Sequence, residues 1–563
     1  MAQLSSTARG SRISAPGRLA SLLLIPAALT LGGPSGAWGQ SGSAGPDAGA
    51  AAARPQAADD FARFARGPFS RMVIRNATLI DGTGAPPLYP VDVVIEGNRI
   101  TEVTVVGNDF GEIRGERPAP GEHEIDAEGM YVLPGFINAH AHINTQDSRA
   151  GLPVRYDYFL RLGHGQTTLL DAGSGNGLLW TIAQRDSSAE NGIVAPRIHA
   201  YARLTQDGRA RAFDFPRRIT TPELGRQWVR AVAEAGADGL KLRGSPPDVT
   251  EAVIDEGHRL GLPSTMHLEQ GGVARMDVLD AARMGLDHQQ HWYGLPEALI
   301  EESTLPDWPA DYNQNNEYQR FSQAGRFFIQ AVEPGSERWE SVLAEMLELD
   351  FTLVPTMAVY EDSRNYMFVR RAEWHDEYAS RSFLDYWVPD PDHHGSLAFR
   401  WTTADETAWY RFFIKWQRFL DEFKDRGGRV ATGADEGSGY TLPGFSYIRE
   451  FELLQQAGFL PLEVIRSATM HAAEALEVED ELGTVEIGKL ADLVVVEENP
   501  LEDFKTLYGT GAIRYDPETR EAKRVGGVTW TIKDGIVYDA KALLAEVRRM
   551  VAESKRAATD EGG

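Results

Sequence analysis

The sequence predicts an α/β protein with a (β/α)8 TIM-like barrel and a small β-sandwich domain formed from both chain ends. Two observations support this fold class. In the middle of the chain, eight short apolar runs alternate with helical periodicity, and eight is the number of parallel strands that closes such a barrel. Near both ends, β-branched runs are separated by Asp-Gly and Gly-Asn turn signals, which are typical of hairpins.

The sandwich is predicted from two separated segments, residues 69–130 and residues 479–545. The first contains VIRNATLIDGTG and VDVVIEGNRITEVTVVG, and the second contains ADLVVV and VTWTIKDGIVY. All four stretches combine β-branched residues with turn signals or with a neighbouring loop, so each is expected to supply strands. The last residues, 546–563, are predicted to form a C-terminal tail.

The barrel is predicted over residues 131–478. Its eight strands are expected in the runs VLPGFINAH, TTLLDAG, PRIHAYA, GLKLRG, PSTMHLE, LDHQQH, FTLVPT and RVATGAD. Between the sixth and the eighth run the chain is longer than two βα units need, so an insertion is predicted at about 300–425. Its aromatic residues have two interpretations, a core of the insertion's own or a wall of the pocket at the barrel mouth. The tryptophans concerned are Trp374, Trp387, Trp401, Trp409 and Trp416.

Residues 1–39 resemble a signal peptide. An arginine-containing segment without acidic residues precedes an apolar run over 19–31, and the small residues Ala37 and Gly39 precede a plausible cleavage site at Gln40. The apolar run is too short to span a bilayer as a helix, so no stable membrane anchor is expected. We therefore expect export to the periplasm or the medium. The alternative interpretation is a cytoplasmic protein with an Ala-rich leader.

Residues 40–68 are predicted to be a disordered linker. Gly, Ala, Ser and Pro dominate this segment, and such a composition buries too little apolar surface to offset the entropy lost on ordering.

Composition excludes several classes of function. The chain has no cysteine, so thiolate zinc sites, iron–sulfur clusters and a cysteine nucleophile are excluded. The formal net charge of −26 repels phosphate backbones, and nucleic acid is therefore not expected as a partner. Any metal centre has to be built from His, Asp, Glu or Lys.

Metal-binding side chains stand at the ends of five of the eight predicted strands. The first run ends in His140 and His142, whose side chains share one face of an extended strand. Each residue alone has a structural explanation, such as a buried histidine bonded to a carbonyl. Together they predict one metal centre, because the carboxyl ends of barrel strands converge at one face. The remaining members of this set are Lys241, His267, His291 and Asp435.

The sequence resembles the amidohydrolase superfamily, in particular its imidazolonepropionase-like and prolidase-like branch of metal-dependent hydrolases. The resemblance runs from about Met72 to Asp539. It rests on the segments IRNATLIDGTG, GMYVLPGFINAHAH, GHGQTTLLDAG, GADGLKLRG, TMHLEQ, GLDHQQHWYG, ATGADEG and RSATMHAAEALEVEDELGTVEIGKLADLVVVEENPLEDF.

The resemblance implies a centre of two divalent metal ions, expected to be zinc. By this correspondence, the more buried ion is held by His140, His142 and Asp435. The more exposed ion is held by His267 and His291, and a carboxylated Lys241 bridges the two ions. Asp435 would also carry the proton during catalysis. The family usually has Asp where this chain has Asn138, a difference that affects the surroundings of the centre and not its expected ligands.

The function expected from this resemblance is hydrolysis of an amide-type C–N bond in a small molecule, such as a dipeptide or an N-acyl amino acid. A deaminase or a cyclic-amide hydrolase of the same superfamily is one alternative. A non-catalytic association protein is another. The exact substrate is left open by the sequence. The sequence also allows a homo-oligomer.

Overall fold

The computed structural model describes residues 59–561 except 109, 111, 115, 270–272, 274, 302–304 and 391–399. The predicted signal peptide and most of the predicted linker lie outside the described residues. Within the described part of the chain, no helix is both long enough and apolar enough to cross a membrane.

The described strands and helices alternate along most of the chain. The strands are β1 (Ala65–Arg66), β2 (Met72–Leu79), β3 (Leu88–Glu96), β4 (Arg99–Val105), β5 (His123–Asp126), β6 (Tyr131–Pro134), β7 (Phe136–Ala141), β8 (Gln166–Asp171), β9 (Arg197–Leu204), β10 (Ala210–Arg211), β11 (Gly239–Leu242), β12 (Ser264–Met266), β13 (His288–Gln290), β14 (Thr352–Val354), β15 (Arg429–Val430), β16 (Leu493–Val496), β17 (Ala512–Asp516), β18 (Glu521–Val525), β19 (Val528–Lys533) and β20 (Ile536–Asp539). The helices are α1 (Arg155–Leu162), α2 (Leu178–Ala189), α3 (Pro222–Ala235), α4 (Pro247–Arg259), α5 (Val278–Arg283), α6 (Leu295–Ala298), α7 (Glu317–Phe328), α8 (Glu337–Glu348), α9 (Glu361–Val369), α10 (His375–Tyr378), α11 (Arg381–Tyr386), α12 (Thr403–Asp425), α13 (Phe445–Ala457), α14 (Pro461–Ala468), α15 (Met470–Ala475) and α16 (Ala540–Glu561), with 3-10 turns at Met357–Tyr360 and Phe504–Leu507.

Both ends of the chain contribute to one mixed sheet. Its strand order is β1-β20-β19-β16-β6-β2-β3-β4, with β5 paired to β2. Two antiparallel pairs join the two ends, β1–β20 and β16–β6, and in the second of these Leu493 lies opposite Pro134. Apolar side chains from both ends, such as Ile74 and Val495, share one buried core. That this sheet folds into a two-layer sandwich stays a prediction.

A second sheet curls into a TIM-like barrel. Eight of its strands are parallel, in the order β15-β14-β13-β12-β11-β9-β8-β7, and each of the eight predicted runs overlaps one of them. Backbone hydrogen bonds also join the first strand to the segment after the last. Ala139 N donates to Thr432 O at 3.0 Å, and Asp435 N donates to His140 O at 2.9 Å. The predicted strand ends therefore meet around one axis.

The prediction of a disordered linker reaching residue 68 is wrong at its C-terminal end. Residues 59–64 are helical, and β1 pairs antiparallel with β20. Phe64 is buried in the main core, and Asp60 forms an ion pair with Arg155 at 3.2 Å. The apolar surface of Phe64 and this ion pair order a segment whose average composition resembles a linker.

The C-terminal residues 546–563 were expected to form a tail, but the described ones up to 561 continue the long helix α16. Leu543, Val547 and Val551 are buried and recur at helical spacing. They belong to the same core as residues of α1, including Phe159. The helical periodicity of these apolar residues, not the polar composition of the segment, determines its structure.

The tryptophans of the insertion pack into a core. Trp409 and Trp416 are fully buried on α12, and the ring of Phe412 lies 5.2 Å from that of Trp292 beside the barrel. Trp387 is also buried, and its ring lies 4.7 Å from the Arg149 guanidinium. Among the described residues, none of the five tryptophans lines the cavity at the barrel mouth. The structure therefore favours the core interpretation for these side chains.

Candidate metal centre

His140 of β7, His142 just after that strand and Asp435 after β15 converge at the carboxyl end of the barrel. Asp435 Oδ1 lies 3.3 Å from His140 Nε2 and 3.1 Å from His142 Nε2. Burial would raise the pKa of Asp435, but the neighbouring His140 and His142 hold it well below its usual range. Because His140 is fully buried, its pKa falls to about 3 and the ring is neutral. Neutral imidazoles and an ionised carboxylate are the forms that bind metal ions.

His291 completes this group from the end of β13. Its Nε2 lies 3.8 Å from Asp435 Oδ2 and has no hydrogen-bond partner among the described residues. On the other side of the ring, Nδ1 lies 2.6 Å from Thr356 Oγ1, which holds the ring in place. Ligand atoms of His140, His291 and Asp435 all lie within 4.8 Å of one another. This spacing suits a single divalent ion.

Lys241 and His267 are also neighbours of His291. The His267 ring centroid is 4.6 Å from that of His291. Lys241 is buried, and its Nζ has no hydrogen-bond partner among the described residues. Burial lowers the pKa of Lys241 well below its usual range, and the charges of Arg243 and Arg203 lower it further. A buried, unpartnered amine whose charged form is disfavoured is available for modification.

The structure thus brings together the residues expected to hold two ions. His140, His142, His291 and Asp435 lie around one point, with His267 and Lys241 adjacent to it. The orphaned atoms Lys241 Nζ and His291 Nε2 are what a group that binds a metal would leave without protein partners. The residues present therefore fit a divalent centre. Their assignment as ligands stays a prediction.

A buried polar network supports β7 from below. Asn138 donates to both carboxylate oxygens of Glu436 at 2.9 Å, and its own oxygen accepts from His140 N at 3.1 Å. Arg161 pairs with Glu436 at 3.1 Å and with Asp157 at 2.7 Å. The family's usual Asp would face the Glu436 carboxylate here. Asn138 is thus matched to a neighbouring acid that sequence analysis did not identify.

We expect Asn138→Asp to destabilise the protein. The substitution replaces a donor with a second carboxylate beside Glu436, leaving buried polar atoms unpaired at a cost of about 1–3 kcal/mol in the free energy of unfolding. The double variant Asn138→Asp with Glu436→Gln restores a donor opposite an acceptor and should recover much of this loss. Urea denaturation of both variants measures the effect. Parental stability of the single variant would contradict the proposed pairing.

A cavity of about 760 Å³ opens onto the centre. Tyr293 and Tyr360 line it and are joined by a hydrogen bond between their hydroxyls at 2.8 Å. Their rings each lie 5.5 Å from that of His291. Arg243 also lines the cavity, with Nη2 at 3.5 Å from His267 Nε2.

Sequence analysis missed these cavity residues and Thr356. Tyr293 and Arg243 each stand two positions after a predicted ligand, and Thr356 closes the seventh predicted strand, so a signal existed for all three. Tyr360 lies in the insertion, and its position in the sequence gave no signal that it would line the cavity.

Comparisons with known proteins agree with the fold. A model of the amidohydrolase family matches residues 415–537. An adenine deaminase from Rubrobacter xylanophilus is 37% identical over 102 residues, covering 17% of this chain and 16% of the relative. An imidazolonepropionase from Symbiobacterium thermophilum is 25% identical over 415 residues, covering 70% of this chain and 81% of the relative. A solved structure of a Xaa-Pro dipeptidase with bound methionine has a TM-score of 0.55 at 21% identity, covering 84% of this chain and 100% of that one.

These similarities differ in what they establish. The match to the adenine deaminase spans only about a sixth of that relative's length. The likeness to the dipeptidase shows a shared fold. The family match covers the end of the barrel, including the segment that carries Asp435, and the imidazolonepropionase aligns along most of the chain. The chain is therefore similar to members of the amidohydrolase superfamily, and residues 415–537 match the model of that family.

Proposed function

We propose that this protein is a metal-dependent hydrolase that cleaves an amide-type C–N bond in a small peptide-like molecule. The observation that carries the proposal is the convergence of His140, His291 and Asp435 beside a cavity of about 760 Å³. Such a cavity has the size of a small-molecule site. The imidazolonepropionase and the Xaa-Pro dipeptidase, by their names, act on compounds with C–N bonds, which supports this reaction class.

The cofactors proposed are two divalent ions, expected to be zinc, held by His140, His142, His267, His291 and Asp435. A carboxylated Lys241 would supply an oxygen to each ion. Bound divalent ions lower the pKa of a coordinated water and polarise a carbonyl group. All of these donors are nitrogen or oxygen atoms, which zinc accepts in catalytic sites.

The chain's own residues orient the substrate and move the proton. Asp435 is ionised and lies at the bottom of the cavity, where it can take a proton from the attacking water and return it to the leaving nitrogen. Thr356 fixes the ring of His291. The Tyr293 hydroxyl accepts from Tyr360 and can donate its own proton to a polar group of the substrate beside the centre.

Metal analysis and a hydrolysis screen test this function. The full chain, reconstituted with zinc, should bind about two ions and release amine from dipeptides or N-acyl amino acids. Adenine and imidazolone-type substrates in the same screen test the deaminase and cyclic-amide alternatives. Two bound ions with turnover of only these compounds would replace the proposal with one of the alternatives. Absence of both metal and turnover would leave an association role.

We also propose that the protein is exported with cleavage close to Gln40. The arginine-containing segment and the short apolar run that follows it are recognised by the secretory machinery. Intact mass of the protein recovered from the producing cell should therefore lack the first 39 residues or nearly so. Recovery of soluble cytoplasmic protein that retains Met1 would contradict export.

A further inference from the structure

Three basic residues lie side by side on neighbouring strands next to the candidate centre. In the register of the sheet, Arg211 on β10 is opposite Arg203 on β9, and Arg203 is opposite Lys241 on β11. Directly opposed residues on neighbouring strands project from the same face, with Cβ atoms about 5 Å apart in an antiparallel pair. Like charges in such positions destabilise a sheet. Burial disfavours a charge on Lys241, so the like charges that oppose each other are those of Arg203 and Arg211, and their pairing is costly unless a negative group meets them.

The protein neutralises this row only in part, because the charges of Asp171 and Glu269 act on Arg203 without forming an ion pair with it. Among the described residues, no ion pair or side-chain hydrogen bond engages Arg203 or Arg211, and Arg203 Nε is buried without a partner. Asp171 accepts a hydrogen bond from Thr181 Oγ1 at 3.1 Å, and two other acids close to the row are already in ion pairs. Glu269 pairs with Arg243 at 2.5 Å, and Asp207 pairs with Arg209 at 3.0 Å.

Side-chain hydrogen bonds order the turn of the hairpin that carries Arg211. Thr205 Oγ1 donates to Asp207 Oδ1 at 2.7 Å and accepts from Arg209 N at 3.0 Å, which orders the turn between β9 and β10. Arg203 packs against Gly173, where a Cβ would lie 2.9 Å from the Arg203 Cδ. Burial and the charges of Arg243 and Arg211 lower the pKa of Arg203 to about 10, as expected where several guanidinium groups crowd together.

Arg211 and Arg243 line the same cavity as His267 and Asp435. Building on the proposed function, we propose that Arg211 and Arg203, with Arg243, bind a carboxylate of the substrate, so that the enzyme acts on carboxylate-bearing amides. Guanidinium groups match the planar carboxylate with paired hydrogen bonds. The acids Asp207, Glu269 and Asp362 at the cavity oppose a multiply charged ligand such as a phosphate ester.

The test compares acids with their carboxamides. The best substrate from the hydrolysis screen and its carboxamide are assayed with the zinc-loaded parent, with Arg211→Met and with the control Arg218→Met. Arg218 is exposed, lies near the same hairpin and does not line the cavity. For Arg211→Met we expect kcat/KM to fall about 10- to 100-fold for the acid and less than about threefold for the carboxamide. Arg218→Met should match the parent on both compounds.

Calorimetric binding of N-acetylmethionine and of its carboxamide provides a readout that is independent of turnover. Tighter binding of the acid, lost in Arg211→Met at full metal content, supports the inference even if no hydrolysis is found and the proposed function fails. Hydrolysis without preference for the acid overturns the inference alone. An equal loss on both compounds, or loss of metal from Arg211→Met, also overturns it, because the row would then serve the metal centre. The inference is also overturned if the parent enzyme does not distinguish the acid from the carboxamide in either assay.

Discussion

Lys241→Ala should lose bound metal and activity together while keeping the fold. The proposed bridge donates an oxygen to each ion, and removal of a direct ligand should exceed the roughly 10- to 100-fold loss typical of residues that only support ligands. Lys241 Nζ has no hydrogen-bond partner among the described residues, so truncation breaks no internal bond. The metal-free variant should therefore unfold at or above the temperature of the metal-free parent. Elemental analysis, turnover and calorimetry measure the three quantities.

A second buried lysine provides the matched control. Lys415 lies on α12, where its Nζ donates to Ala331 O, and it is not one of the candidate ligands. Lys415→Ala should lower the melting temperature and leave the metal content unchanged. Addition of a short carboxylic acid such as acetate should partly restore metal to Lys241→Ala, because it replaces the lost carbamate oxygens. Full metal occupancy and parental turnover of Lys241→Ala without acetate would exclude the bridge.

The barrel and its polar strand ends could be predicted from the sequence because both depend on local patterns. Alternation of strands and helices sets the fold class, and the fold then places His140, His267 and Asp435 at one face without further information. Long-range pairing could not be predicted in this way. The contact of Asn138 with Glu436 joins residues that lie far apart in the sequence, and only the closed barrel brings them together.

The prediction also failed where a short element or a buried ring decides the structure. The strand β10 has only two residues, too few for any periodicity, yet it places Arg211 opposite Arg203. Tyr360 enters the cavity from a single 3-10 turn in the insertion. The insertion's aromatic content indicated burial, but composition alone does not say which ring packs inside and which faces the cavity.

Asp435→Asn should reduce kcat by about 10²- to 10⁴-fold in the metal-saturated enzyme. General acid–base catalysis contributes a factor of this size, and asparagine keeps the shape and one oxygen but cannot carry a proton. Asp435 N is held by His140 O at 2.9 Å, so the variant should keep its backbone position. KM should change much less, because the proposed carboxylate contacts lie on other strands. Steady-state kinetics at saturating zinc separates the two parameters.

A second acid in the cavity, Asp362, is the alternative proton carrier against which Asp435 can be tested. Asp362 also lines the cavity, and burial raises its pKa to about 7, which is the range of a general base. If Asp435 carries the proton, Asp362→Asn should reduce kcat by less than tenfold, since Asp362 belongs to the insertion and makes no contact with His140 or His142 among the described residues. The opposite result would be near-parental kcat in metal-replete Asp435→Asn and a large loss of kcat in Asp362→Asn. It would identify Asp362 of the insertion, and not Asp435, as the residue that carries the proton. The pH dependence of kcat would then follow the raised pKa of Asp362, with activity lost as pH falls through about 7 and Asp362 becomes protonated.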